Sequence, residues 1–353
     1  MNKVFFYQAI NQALHYCMKK DKRVICFGLG ATDPKHIFGT TNFLEEKFGS
    51  NRVFDTPTSE NGMTGIGIGA SLNGSIPVMI HQRLDFFLLA MDQLVNNAAK
   101  WHYMFGSKQS VPITIRLIMG RGWGQGPTHS QNLHSWFAHI PGLKVVMPSC
   151  PEDAKGLLIS SVFDPNPVLF LENRWLYNTY TNKNNILNNT HIKIGKAKLL
   201  KKGKDITLLT MSYLVNEAIK ASHYLQSKNI DCEIIDLRSI KPIDWSMIKK
   251  SVKKTGRLLA LDTGHLTCSV SSDIISKMTT NYFDYFNSSP KILAMPDVPE
   301  PTSHALTKNF YTSASDIVKK ILLMFNIDEK NIPNNLKEPS PHDIPGKWFE
   351  GPF

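Results

Sequence analysis

The feature that most constrains this chain is an alternation, sustained to about position 326, between short apolar runs of strand length and amphipathic stretches of helix length. Runs at 23–28, 76–80, 112–118, 144–147 and 167–171 read as strands, and stretches near 3–19, 61–72, 86–103 and 151–163 read as helices. The last of these opens on Pro151, Glu152 and Asp153, the composition of a helix start. Strands separated by helices of this length pair in parallel and need helices on both faces. The first part of the chain is therefore expected to be an α/β domain.

The alternation resumes with apolar runs at 205–212, 232–244 and 257–264, and helices near 214–228, 245–254 and 314–326. Between the two series lies a polar, Asn- and Lys-rich stretch at 180–196 with few groups to pack a core. At 353 residues the chain exceeds one ordinary core and fits two. The expected boundaries are a first domain over 1–185, a linker over 186–199, a second α/β domain over 200–327, and a Pro-rich arm over 328–353. The arm ends in Trp348, Phe349 and Phe353, and either docks on another surface or is disordered.

Composition removes several function classes. No run reaches the roughly 18 apolar residues of a membrane span. The amino terminus shows helical periodicity and no charged leader followed by an apolar run, so no targeting peptide is expected there. Five cysteines, Cys17, Cys26, Cys150, Cys232 and Cys268, have no C-x-x-C spacing, which argues against a disulfide framework or zinc and for a reducing, cytoplasmic compartment. The net charge of +11 is dispersed among Lys pairs at helix ends and turns, not gathered with aromatics, so nucleic acid is not the expected partner; an acidic subunit or a phosphorylated substrate fits as well.

The most informative stretch is FDTPTSENGMTGIGIGASLNGSIPVMI (54–80), where Glu60 stands between a Pro-containing turn and a helix of small residues, with Thr58 and Ser59 as candidate caps. Taken alone, Glu60 is a first-turn acid favoured by the helix dipole, and Gly62, Gly65, Gly67 and Gly69 permit close packing. The glycine spacing does not fit a dinucleotide fingerprint.

Other stretches change that reading: AMDQLVNNAAKWHYMFG (90–106), GPTHSQNLHSWFAHIPGLKVVMPSCPEDAKGLL (126–158), DPNPVLFLENRWLY (164–177), IIDLRSIKPID (234–244) and PDVPEPTSHAL (296–306). In this order they resemble the β subunit of the thiamine-diphosphate-dependent dehydrogenase component of 2-oxo acid dehydrogenase complexes, over nearly all of 1–327. The resemblance implies two parallel-sheet domains, one binding the pyrimidine of thiamine diphosphate and one like the transketolase carboxy-terminal domain.

It also implies roles. Glu60 would hydrogen-bond the aminopyrimidine and act as proton relay, so that the imino form can take the proton from the thiazolium carbon; a desolvated site serves this best. Phe86, in QRLDFFLLAMDQ (82–93), matches the stacking aromatic, and Gln82 at the head of that stretch is a second cofactor-binding candidate; an ordinary core role for Phe86 stays open. His129 in GPTHSQ matches an active-site histidine that moves protons or stabilises charge. His134 and His139 read as structural. Asp164 and Asn166 match a loop that holds a structural K+ in relatives, largely through backbone carbonyls; a Pro-fixed turn is the alternative.

No G-D-G motif occurs, so the Mg2+ that carries the diphosphate is expected on an α-type partner, in an α2β2 assembly with β–β contact through the carboxy-terminal domain and a lipoyl acyltransferase core as a further partner. One departure stands out: relatives carry an acidic pair after the first strand, where this chain reads GLGATDPKHIFG (28–39), with Leu29 and Gly30 in place of the acids. Asp33 could compensate only with a rearranged loop, and Lys35 and His36 suit a phosphate, hydroxyl or carboxylate. A 2-oxo acid decarboxylase and acyl-transfer subunit is the leading expectation, a transketolase-like or carboligase subunit the second, and a non-catalytic assembly partner the third.

Overall fold

The computed structural model describes residues 2–121, 124–308, 310–328, 332–333 and 336. In chain order the elements are β1 (Lys3–Phe5), α1 (Phe6–Lys20), β2 (Val24–Gly28), the short turns α2 (His36–Gly39) and α3 (Leu44–Phe48), β3 (Val53–Asp55), α4 (Glu60–Leu72), β4 (Ile76–His81), α5 (Leu84–Phe87), α6 (Ala99–Met104), β5 (Thr114–Met119), α7 (His134–His139), β6 (Lys144–Val146), α8 (Pro151–Val162), β7 (Val168–Asn173) and β8 (Tyr180–Asn182). They continue with β9 (Lys198–Lys201), β10 (Ile206–Thr210), α9 (Leu214–Gln226), β11 (Cys232–Asp236), β12 (Ser239–Lys241), α10 (Trp245–Thr255), β13 (Leu258–His265), α11 (Val270–Tyr282), β14 (Lys291–Met295), α12 (His304–Thr307) and α13 (Ala314–Met324).

The chain forms two compact units. The first takes residues 1–119, 136–195 and 239–242; the second takes 120–135, 196–238 and 243–353. The first is built on a seven-stranded sheet in the order β12-β6-β7-β5-β4-β2-β3, parallel except for β12, which runs antiparallel to β6. Every residue of β4, β5 and β7 is buried, as required of central parallel strands covered on both faces. The second has a five-stranded sheet in the order β14-β13-β10-β11-β9, with β9 antiparallel at one edge.

Several sequence expectations are corrected. The first three residues of the expected amino-terminal helix leave it to pair as β1 with β8, so the polar stretch at 180–196 begins as a strand, continues as a 3₁₀ turn at Lys183–Ile186, and buries Ile186. The helix expected over 86–103 starts at Leu84 and is broken by a 3₁₀ turn at Leu88–Ala90 and a π-helical turn at Gln93–Ala98 before α6. The strand expected over 232–244 divides into β11 and β12, which join sheets of different units. Alternating polarity cannot separate two short strands from one long one when both are buried. The aromatic end of the arm, Trp348, Phe349 and Phe353, lies outside the described residues.

Candidate active site

In a parallel α/β sheet, ligands collect at the carboxyl ends of the strands, where successive loops converge. The three strands β3, β2 and β4 are adjacent there, with Gly28 in register with both Asp55 and Ile80. The loops leaving them carry Glu60, the 29–35 segment, and Gln82 with Phe86. The first unit thus brings three of the sequence candidates, Glu60, Gln82 and Phe86, to one edge of one sheet.

Glu60 opens α4 and is 7% exposed. Its backbone carbonyl accepts from the Thr64 hydroxyl at 2.7 Å, which stiffens the first turn. Its carboxylate makes no hydrogen bond or ion pair with any of the described residues. The expected caps do not act: Ser59 holds the cap position, but at φ −161° and ψ 77° its hydroxyl accepts nothing from the helix. Of the four helix glycines, Gly67 is the one pressed against another element, where a Cβ would stand 3.0 Å from Ile113 Cδ1 and 3.2 Å from Phe27 Cζ. That close approach sets α4, and with it Glu60, against β2.

The segment after β2 is held from β3. The Asp55 carboxylate accepts from the Ala31 amide at 2.6 Å and from the Thr32 hydroxyl at 3.1 Å, while Thr56 N–H donates to the Gly28 carbonyl at 3.0 Å. Gly30, one of the two residues in place of the acidic pair, sits at φ +83°; a Cβ there would lie 2.5 Å from Gln82 Nε2 and 2.9 Å from Asp33 Oδ2. The Asp33 carboxylate has therefore returned to the space beside position 30. On the same loop His36, Ile37 and Phe38 are three successive non-glycine residues at φ 46°, 46° and 56°. Left-handed backbone is costly for such side chains and concentrates at functional loops.

Two side chains at this edge escaped the sequence reading. Arg83 follows β4 and Arg174 follows β7; they are 5% and 6% exposed. Arg174 stacks over Phe38 at 4.2 Å and over Tyr177 at 4.8 Å. Burial pulls the Arg174 guanidinium down to about 10, an effect offset by Tyr177 and increased by the like charge of Arg83. Burial lowers Arg83 too, against Asp85 and Tyr177. Both stay charged at neutral pH. Beneath them Arg116 pairs with Glu172 at 2.5 Å and 2.9 Å, and Tyr177 donates to the same carboxylate at 2.6 Å, all buried. The signal that could have found Arg83 and Arg174 was a cation directly after an apolar strand in a parallel sheet. His81, the last residue of β4, is fully buried against Phe87, and desolvation drops it to about 3, so it is neutral at working pH.

His129 belongs to the second unit, on a segment anchored there. Its Nδ1 lies 2.9 Å from the Thr128 hydroxyl. Gly126 on the same segment sits so close to Thr302 that a Cβ would meet its Oγ1. The His134 Nε2 bonds Asp262 Oδ1 at 2.8 Å with both side chains buried. Burial alone would raise Asp262, but the imidazole and the N–H groups of Gly264 and Ser271 hold it below the usual carboxylate range. Asp164 and Asn166 lie in the turn before β7, at the opposite edge of the first sheet from Glu60. The Lys144 ammonium bonds both Asp164 oxygens, at 2.7 Å and 2.6 Å, and Asn166 N–H caps the same carboxylate at 2.9 Å. Among the described residues there is no group of three or more His, Cys, Asp or Glu side chains placed to hold a metal, and no helix long and apolar enough to cross a membrane.

Comparison with known proteins decides the family. Residues 2–179 match the transketolase pyrimidine binding domain and residues 195–317 the transketolase C-terminal domain. The chain is 39% identical over 315 residues to the pyruvate dehydrogenase E1 component subunit beta of Rickettsia bellii, covering 89% of this chain and 96% of that one. This chain belongs to that family. It is also 38% identical to the mitochondrial subunit beta-1 of Arabidopsis thaliana, covering 88% and 86%. Among solved structures, a split-gene transketolase described as an inactive beta4 tetramer superposes with a TM-score of 0.74 at 17% identity, over 91% of this chain and 98% of that one, which shows the shared fold. The family comprises β subunits of thiamine-diphosphate-dependent 2-oxo acid dehydrogenases. The site suits its cofactor's aminopyrimidine: a buried carboxylate left without a protein partner among the described residues, a half-buried aromatic ring at Phe86, and an amide at Gln82.

Proposed function

We propose that the chain is the β subunit of an E1 component that decarboxylates a 2-oxo acid, pyruvate being the substrate named for its relatives, and passes on the acyl group. The observation that carries this is Glu60, the carboxylate of a largely buried residue at a helix start, set by the packing of α4 on β2 and without a hydrogen bond or ion pair among the described residues. Thiamine diphosphate supplies a thiazolium carbon that becomes nucleophilic and an electron sink when the carbon–carbon bond breaks. Glu60 would hold the pyrimidine ring nitrogen and exchange its proton, Phe86 would stack on that ring, and Gln82 would bond its edge. His129 would move a proton or stabilise charge at the substrate carbonyl. Arg83 and Arg174 give the edge a positive potential suited to the substrate carboxylate.

The diphosphate and Mg2+ would be held by an α-type partner in an α2β2 assembly. In support, large apolar side chains stand exposed on the first unit, among them Ile66 on α4 at 69%, Leu89 at 70% and Tyr103 on α6 at 87%. Such side chains mark protein interfaces when they are not scattered singly. For Asp164 and Asn166, the Lys144 pairing and the Asn166 N–H on the same carboxylate support the reading as a turn.

The test is the reconstituted enzyme with Glu60→Gln. Loss of the proton relay is expected to lower kcat by about 10²–10⁴-fold while thiamine diphosphate and Mg2+ still bind. A variant with wild-type turnover refutes the assignment, and a wild-type enzyme that turns over sugar phosphates but no 2-oxo acid moves the chain to the transketolase-like alternative.

A further inference from the structure

The first unit contains a second site that the chemistry above does not use. A cavity of about 730 Å³ opens between α1, α3 and the start of α8, lined by His15, Tyr16, Lys19, Lys20, Lys47 and Lys155, with Gln12 and Asn189 completing it. No Asp or Glu lines it. Because α1 ends just before β2 begins, the Lys19–Lys20 end of the cavity lies at the amino edge of the sheet, away from the carboxyl edge that carries Glu60 and Gln82.

The floor is the telling part. Lys155 is 5% exposed, yet its ammonium bonds only neutral acceptors, the Ile186 carbonyl at 2.8 Å and Gln12 Oε1 at 3.3 Å. Burial lowers its pKa from the usual lysine value, the mark of a charge without a counter-ion. His15 beside it adds no positive charge: burial and the nearby Lys47 ammonium lower its pKa, and with Nε2 donating to the Asn42 carbonyl at 3.2 Å its buried Nδ1 is a lone-pair acceptor. An anion supplies the counter-charge that Lys155 lacks.

We propose that this cavity binds a small polyphosphate anion, such as the phosphate chain of a nucleoside triphosphate, along α1 from Gln12 to Lys20. The size and charge select this class. The nine residues from Gln12 to Lys20 span about 12 Å of helix, more than one phosphate reaches and room enough for a chain of three. The volume is that of a small-molecule site, within the roughly 300–1,000 Å³ typical of such pockets. All four cations that line it are ammonium groups, point charges that suit phosphate oxygens, with no guanidinium fork for paired carboxylates.

Calorimetric titration of the full-length chain with inorganic tripolyphosphate and with Mg2+-free ATP, at about 0.15 M salt, tests this. One saturable site is expected, with tripolyphosphate binding at least tenfold more tightly than inorganic phosphate. The triple change Lys19→Gln, Lys20→Gln, Lys47→Gln is expected to weaken it by at least tenfold, and Lys155→Met to do the same, while the equally charged control Lys249→Gln, Lys250→Gln, Lys253→Gln leaves it unchanged. Thiamine diphosphate affinity of the assembled enzyme should be the same in wild type and the first triple variant, which separates this site from the cofactor site. The proposal is overturned if no saturable binding occurs at that salt, if the control triple loses binding equally, or if thiamine diphosphate displaces the tripolyphosphate. It is also overturned if tripolyphosphate fails to bind while the first triple variant loses its α partner, which would make the cavity a protein contact.

Discussion

Gly30→Ala puts the rearranged loop after β2 to a quantitative test. At φ +83° an alanine pays about 1–2 kcal/mol for left-handed backbone. Its Cβ would also stand 2.5 Å from Gln82 Nε2 and 2.9 Å from Asp33 Oδ2, the far ends of two flexible side chains, and turning them aside costs about 0.5–1.5 kcal/mol. The sum, about 1.5–3.5 kcal/mol, corresponds to a Tm decrease of roughly 3–14 °C for a unit of this size. Urea unfolding of the cofactor-free chain reads it directly. The two contributions separate in a double-mutant cycle, because Gln82→Ala removes the nearer collision and leaves the backbone strain. In that background Gly30→Ala should cost about 1 kcal/mol less than in the wild type. A Gly30→Ala chain as stable as wild type to within about 0.5 kcal/mol, or strict additivity with Gln82→Ala, refutes the placement of Gln82 and Asp33 beside position 30.

Glu172→Gln leaves the Arg116 guanidinium buried beside a neutral amide and should cost about 3–5 kcal/mol, seen as a large drop in the urea midpoint; a change under about 1 kcal/mol contradicts a dry Arg116–Glu172–Tyr177 cluster. Asp262 has a folded pKa below its unfolded value, so its stabilisation is complete above the ordinary carboxylate value of about 4 and is lost as pH falls through the lower folded value. Asp262→Asn should therefore flatten the fall of Tm below about pH 4, whereas an unchanged acid limb would show that this carboxylate is not held down. Lys144→Met removes the cation from Asp164 and should destabilise the turn before β7 by no more than about 1 kcal/mol, since the pair is partly exposed. If potassium then stabilises the variant and not the wild type, the lysine has been standing in for a cation.

Strand and helix periods were legible because each buried strand and each amphipathic helix carries its own pattern, and the order of α/β units follows from that pattern alone. Glu60 was legible as a candidate through the motif around it, and the structure places it buried at the start of α4. The anchoring of β1 on β8 and the split of β11 from β12 were not legible, because a short strand is defined by its distant partner and not by its own residues. Ser59 failed as a cap for a similar reason: composition suggests who can cap, while backbone angles decide who does.

The chain by itself therefore determined its family and its two α/β series, and singled out Glu60 as the candidate carboxylate, since these are written in local spacing and residue type. Only the tertiary structure decided that Asp33 returns to the space beside Gly30, that Arg83 and Arg174 meet after strands β4 and β7, and that Lys155 is a buried cation facing three more lysines. Charges distant in sequence acquire meaning when folding removes water from between them, and no local pattern records which of them will meet.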